Sequence, residues 1–209
     1  MTLSRRAELL VLLGILTLGA LVRIGYFAEL RERPQFSLLH LDGKYHDQMA
    51  RASLPGGAAD PAMVLAWRHY DENPYFRPPG YVYFLTGVYR LFGGSYAAPR
   101  LVQFGLGLLN AVLVWWLYRR IFGARYALLA ALAAALYWIF VYYEGTLYET
   151  TWLTFLLLLL AAALVRLHRV KTLAAAALAG VVFAAGAVAR PNLLACGLPI
   201  SAWIWIAVR

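Results

Sequence analysis

Four carboxylates, Asp42, Asp47, Glu144 and Glu149, and two arginines, Arg77 and Arg190, stand near the ends of apolar stretches or in the long loop between them. A carboxylate there can take a proton from a hydroxyl, and a guanidinium offers a rigid, permanently charged fork of donors that suits a phosphate. Each residue also has a plainer use. Asp42 opens the amphipathic segment 40–49, which carries Leu41, Tyr45 and Met49 on one stripe, and is therefore placed to cap a helix. Capping and catalysis are compatible. Arg77 can anchor the chain to lipid head groups, and Arg190, just before Pro191, can cap a helix end against its dipole. Glu144 and Glu149 can be interfacial loop charges, although acids this close to a membrane carry a functional reading by default. His40, Asp42 and His46 suit a metal only weakly by spacing, and a solvated loop fits them better. No cofactor is expected, and a divalent metal is left open.

The elements that must position these groups are membrane helices. At 63% hydrophobic and 15% aromatic, with a mean hydropathy of +0.65, the chain has more apolar surface than a soluble core of 209 residues could bury. The net charge of +9 does not indicate nucleic acid, because the basic residues cluster at the ends of apolar stretches rather than along one exposed face. Cys196 has no partner with which to build a disulfide or a cysteine zinc site. The sequence predicts an all-α fold, a polytopic transmembrane bundle of about six spans near residues 9–27, 100–118, 126–143, 151–165, 173–188 and 193–208. The first is a retained anchor, since its apolar run passes Ala20 without a small-residue cleavage site. Arg23, near its outer end, is expected to snorkel to the interface. Gln103 and Asn110, the main polar residues within the spans, are expected to hydrogen-bond between helices.

Three basic clusters, at 4–6, 118–125 and 166–171, fix the orientation if all are cytoplasmic. The amino terminus is then inside, and the carboxylates Asp42, Asp47, Glu144 and Glu149 face the outer side together. A crossing at 81–92 would put Arg119, Arg120 and Arg125 outside. That segment is short, tyrosine-rich and led by Pro78-Pro79-Gly80. It is therefore expected to lie along the membrane surface, with Tyr81, Tyr83, Phe84 and Tyr89 in the interfacial aromatic layer. A long outer loop of about 30–97 follows, flexible around Gly56-Gly57, with the aromatic and charged stretch 67–76 packing over a site.

The order of motifs carries a resemblance. After one anchor helix come Leu41-Asp42-Gly43-Lys44-Tyr45-His46, then Tyr75-Phe76-Arg77-Pro78-Pro79-Gly80-Tyr81, then Arg100-Leu101 leading a helix that ends in Arg119-Arg120-Ile121-Phe122-Gly123. Tyr143-Glu144-Gly145, Glu149 and Ala189-Arg190-Pro191-Asn192 follow. Together they resemble the amino-terminal part of the C-type (GT-C) membrane glycosyltransferases, the family 39 group of protein mannosyltransferases and aminoarabinose transferases. The resemblance implies transfer of a sugar, hexosyl or pentosyl, from a polyprenyl-phosphate donor to a lipid or protein acceptor hydroxyl on the outer (periplasmic or extracellular) face of the cell membrane. It implies Asp42 as the base that takes the acceptor proton and Glu149 as the second-loop acid. Arg77, where the aminoarabinose transferases carry a lysine, and Arg190 would contact the donor phosphate. Tyr45, His46, Tyr81 and Glu144 would line the substrate pocket. Members of the family continue through further spans, so the chain is expected to be the amino-terminal piece of a longer enzyme. The competing class is a non-enzymatic membrane scaffold or transporter component, disfavoured because the midspan positions are almost free of charge.

Overall fold

A computed structural model describes residues 4–56 and 77–208. The stretch 67–76 expected over the site lies outside them. Among the described residues every regular element is helical. Helix α1 (Arg5–Arg31) starts at Ser4, whose hydroxyl accepts from the Ala7 N–H, and α2 (Leu41–Ala52) follows a short 3-10 turn at Pro34–Phe36. Helix α3 (Gly80–Phe92) stops at Gly93 and α4 (Ala97–Phe122) at Gly123, glycines with φ of 76° and 85° that end each helix without a Cβ clash. Helix α5 (Ala124–Leu136) breaks at Tyr137 and continues as α6 (Trp138–Glu144), bent by 49°. Helices α7 (Thr150–Val170) and α8 (Leu173–Ala189) pack as a pair, and a 3-10 turn at Pro191–Cys196 leads into α9 (Gly197–Val208).

Among the described residues three helices, α1, α4 and α7, are long and apolar enough to cross a membrane, and the bent pair α5–α6 counts as a fourth when taken as one span. The expected spans 173–188 and 193–208 fold as shorter apolar helices. The 17 residues of α8 rise only about 26 Å at the usual 1.5 Å per residue. Helices α1, α4 and α5 meet at Leu12, Ile15, Ala111, Leu128, Ala131 and Ala135, where the three alanines are small enough to let the backbones approach.

Three expectations need correction. Asn110, unlike Gln103, makes no bond between helices through its side-chain oxygen, which is buried without a hydrogen-bond partner among the described residues. Arg23 does not snorkel: it is 2% exposed and forms a two-point ion pair with Glu144, Nε to Oε2 at 2.6 Å and Nη2 to Oε1 at 2.7 Å. Its Nη1 donates to the carbonyls of Gly19 at 2.9 Å and Ala135 at 2.8 Å. The break at Tyr137 explains the second contact. The last carbonyls of a helix lack intrahelical partners, and inside a bundle another donor must reach them. Helix α3, in turn, does not turn all its tyrosines to the lipid. Tyr81 and Tyr89 are 1% and 2% exposed and, with Leu85, form a stripe of i, i+4, i+8 packed on α2 around Ala50. Tyr83 and Leu91 are exposed away from this stripe, and Phe92 is exposed at the end of the helix.

Candidate active site

The site grows from the start of α2, the start of α3, the turn before α7 and the end of α8. Asp42 sits in the first turn of α2, after Leu41, whose φ of 49° is left-handed and strained for a non-glycine residue. The helix cap is His40, and it makes no side-chain capping bond. The Asp42 carboxylate instead reaches across to the Arg77 guanidinium in a close ion pair, with the guanidinium carbon 4.8 Å from the centre of the Tyr45 ring. Glu149 likewise forgoes capping α7 and accepts from Arg190 Nη1 at 2.6 Å. Arg190 therefore spends its charge on an acid from another helix rather than on its own helix dipole.

One close approach brings these pairs near each other. A Cβ on Gly80 would stand 2.6 Å from Ala189 Cα and 2.7 Å from its nitrogen, so only glycine lets the α3 start rest on the α8 end. Arg77 and Arg190 lie a few residues from that contact. Gly80→Ala is expected to cost about 1–3 kcal/mol, since backbone must give way. Gly87→Ala in the same helix, where a Cβ meets nothing within 4 Å, should leave stability unchanged or raise it. Melting temperatures in detergent check this, and equal values for the two variants would refute the tight contact.

Between the ion pairs lies His46, 5% exposed, with its Nδ1 3.2 Å from the Leu147 carbonyl. A carbonyl can only accept, so the neutral ring carries its proton on Nδ1. Burial pushes the imidazole below its ordinary range, against the opposing pull of the Leu147 carbonyl and the Glu149 and Asp42 carboxylates. Tyr148 feels both acids as well: burial, then Asp42, raise its hydroxyl above the phenolic range.

The surrounding helices fix these positions. Asp47 is buried and accepts from Arg51 Nε at 2.9 and 3.0 Å and from the Tyr89 hydroxyl at 2.5 Å. Arg51 lies 4.9 Å from each of the Tyr89 and Tyr96 rings and donates to the Gly94 carbonyl at 2.8 Å. Burial alone would lower the Arg51 guanidinium, but the bond to Asp47 and the charges of Asp47, Tyr89 and Tyr96 together raise it. Burial and the bond to Asp47 hold the Tyr89 hydroxyl protonated far above the phenolic range. The turn that carries Tyr148 and Glu149 is pinned from α4: Arg100 Nε donates to the Gly145 carbonyl at 2.8 Å, and the Gln103 amide donates to the Glu144 and Thr146 carbonyls at 2.8 and 2.6 Å.

Of the residues singled out by sequence, Asp42, Tyr45, His46, Arg77, Glu149 and Arg190 fall in this region. Tyr81 stands behind His46, ring centroids 4.9 Å apart, and its hydroxyl is spent on Gln103 at 2.6 Å, so it backs the site rather than lining it. Glu144 is drawn away to Arg23. Asp47, Arg51, Arg100, Gln103 and Tyr148 were not assigned to the site by sequence. The i, i+3 spacing of Arg100 and Gln103 on one helix face was the signal available. Among the described residues no three His, Cys, Asp or Glu side chains gather into a possible metal site. A cavity of about 340 Å³ opens beside the site, with Tyr26, His40, Gly43, Arg100 and Tyr148 in its wall. That volume falls within the roughly 300–1,000 Å³ of small-molecule pockets.

Residues 76–209 match the profile of a family described as dolichyl-phosphate-mannose-protein mannosyltransferase. The match takes in Arg77, Glu149 and Arg190, while Asp42 and α2 precede it. No curated protein and no solved structure matches the chain.

Proposed function

From the premise that the chain belongs to the dolichyl-phosphate-mannose-protein mannosyltransferase family, and is therefore a membrane glycosyltransferase that uses a lipid-linked sugar, we infer that the two ion pairs form its reaction centre. The supporting observation is the gathering of two carboxylates and two guanidinium groups around His46 and Tyr148. In the resting protein Asp42 and Arg77 satisfy each other. A polyprenyl-phosphate sugar brings a phosphate that competes for Arg77, and its arrival releases the Asp42 carboxylate. The acceptor oxygen then attacks the anomeric carbon, the bond from that carbon to the phosphate oxygen breaks, and Asp42 takes the acceptor proton. The added negative charge on the leaving phosphate is met by the guanidinium of Arg77, and by Arg190 if Glu149 yields it in the same way. The configuration of the sugar inverts in such a single displacement. The acceptor is a hydroxyl on a lipid or protein, and the prenyl tail stays in the hydrocarbon.

Full-length protein in liposomes, given polyprenyl-phosphate-linked hexoses and pentoses in turn, is expected to label an acceptor with at least one of them. Arg77→Ala should weaken donor binding and lower turnover by about 10- to 100-fold, the loss of a charge-assisted contact. Unchanged donor binding in Arg77→Ala would refute the phosphate role.

The site faces the outer side and the amino terminus the cytoplasm in this reading, because the basic clusters then all lie inside. With the exposed Cys196 replaced by serine, a cysteine at Ser37 is expected to react with a membrane-impermeant thiol reagent in intact cells, and one at Arg125 to remain unlabelled. The reverse pattern would invert the orientation.

A further inference from the structure

At the far end of the bundle stands a second concentration of positive charge. Twenty residues separate Arg100 from Arg120 along α4, about 30 Å of helix. There Arg120, together with Arg166 and Arg169 from the end of α7, shares a cavity of about 340 Å³ with Trp116, Leu159 and Leu178. Among the described residues none of the three arginines makes an ion pair or donates a hydrogen bond. Glu8, the nearby carboxylate, is already taken by Arg119 at 2.7 Å and by the Trp115 indole at 3.0 Å. The Arg120 guanidinium carbon lies 3.4 Å from the centre of the Trp116 ring, a stacking that fixes its plane and leaves its N–H edge open. Arg169 stands close enough to Arg120 for their charges to repel.

Helix dipoles and membrane orientation both favour cations at these helix ends. Neither explains why three of them converge on one cavity whose other wall is aromatic and aliphatic. We propose that this cavity binds an anionic phospholipid, with the arginines on the phosphodiester and the apolar wall against the upper acyl chains. Charge complementarity supplies the first half of the argument, since three unpaired guanidinium groups match a phosphate fork for fork. The second half is access. Leu178 and Val170, which border the cavity, are 46% and 44% exposed on the outside of the bundle, so a lipid enters sideways from the bilayer. A free phosphate would leave the apolar wall unused.

The test uses the full-length protein, delipidated in detergent and titrated with phosphatidylglycerol, phosphatidylcholine or inorganic phosphate, with bound lipid counted by native mass spectrometry and stability followed by melting temperature. One phosphatidylglycerol is expected to be retained at least ten-fold more tightly than phosphatidylcholine. The R166Q/R169Q variant should lose that preference. R6Q/R125Q, which removes as much charge at the same end but outside the cavity, should keep it. If R166Q/R169Q does not fold, Ala162→Phe, which fills the cavity without touching charge, should cause the same loss. Equal retention of the two lipids, an unchanged preference in the cavity variants, or an equal loss in R6Q/R125Q would each overturn the proposal. Protection by inorganic phosphate as strong as that by phosphatidylglycerol would assign the cavity to a free anion and overturn it too.

Discussion

Asp42→Asn is expected to cut sugar transfer by about 10²- to 10⁴-fold while the protein folds and binds its lipid donor normally. The helix that carries Asp42 is capped at His40, and the carboxylate points to Arg77 rather than to the backbone of its own first turn. The substitution therefore removes no cap. Asparagine keeps an oxygen that can accept from Arg77 but has no carboxylate to receive a proton. Glu149→Gln, measured in parallel, tells the two acids apart, because Glu149 faces Arg190 and is expected to affect donor handling more than proton transfer. Near-normal turnover in Asp42→Asn, with a collapse in Glu149→Gln, would exchange their roles.

The largest effect on stability is expected at Arg23. Arg23→Ala should destabilise the bundle by about 3–5 kcal/mol, because Glu144, itself 2% exposed, would be left charged in the interior without a partner. The Ala135 carbonyl at the helix break would lose its donor at the same time. Glu144→Ala should cost a similar amount by stranding the guanidinium. The double variant Arg23→Met with Glu144→Leu should cost less than either single one, since both desolvated charges are gone. Thermal unfolding in detergent measures all three. Single variants that cost under about 1 kcal/mol would mean that water or lipid head groups reach the pair.

The sequence exposed the site's charges and concealed much of what holds them. Asp42, Arg77, Glu149 and Arg190 stand out because polar residues beside long apolar runs are costly unless used. The partner of Arg23 could not be read, since Glu144 lies 121 positions away and nothing local links the two. The bend at Tyr137 was hidden for a related reason. Neither proline nor glycine marks it, and its freed carbonyl is satisfied from another helix. The tyrosines of α3 pose a different difficulty. Periodicity shows that a helix has an apolar face, but lipid and protein interior are about equally apolar, so it does not show which of them covers that face. In this chain the protein covers Tyr81 and Tyr89, and the hydrogen bonds of their hydroxyls to Gln103 and Asp47 are what distinguish the two cases.

Gly107 leaves the room in which the Glu144 carboxylate rests, for a Cβ there would lie 2.0 Å from Oε1. In lines of descent, positions 23, 107 and 144 are expected to drift together. A lineage that lost the acid at 144 would be free to enlarge residue 107 and would come under pressure to neutralise residue 23, whereas one that kept the acid in this place is expected to favour glycine at 107. Across aligned homologues the three columns should therefore vary as a unit. Such a triplet would let distant members of the family be sorted by whether they inherited this internal clasp.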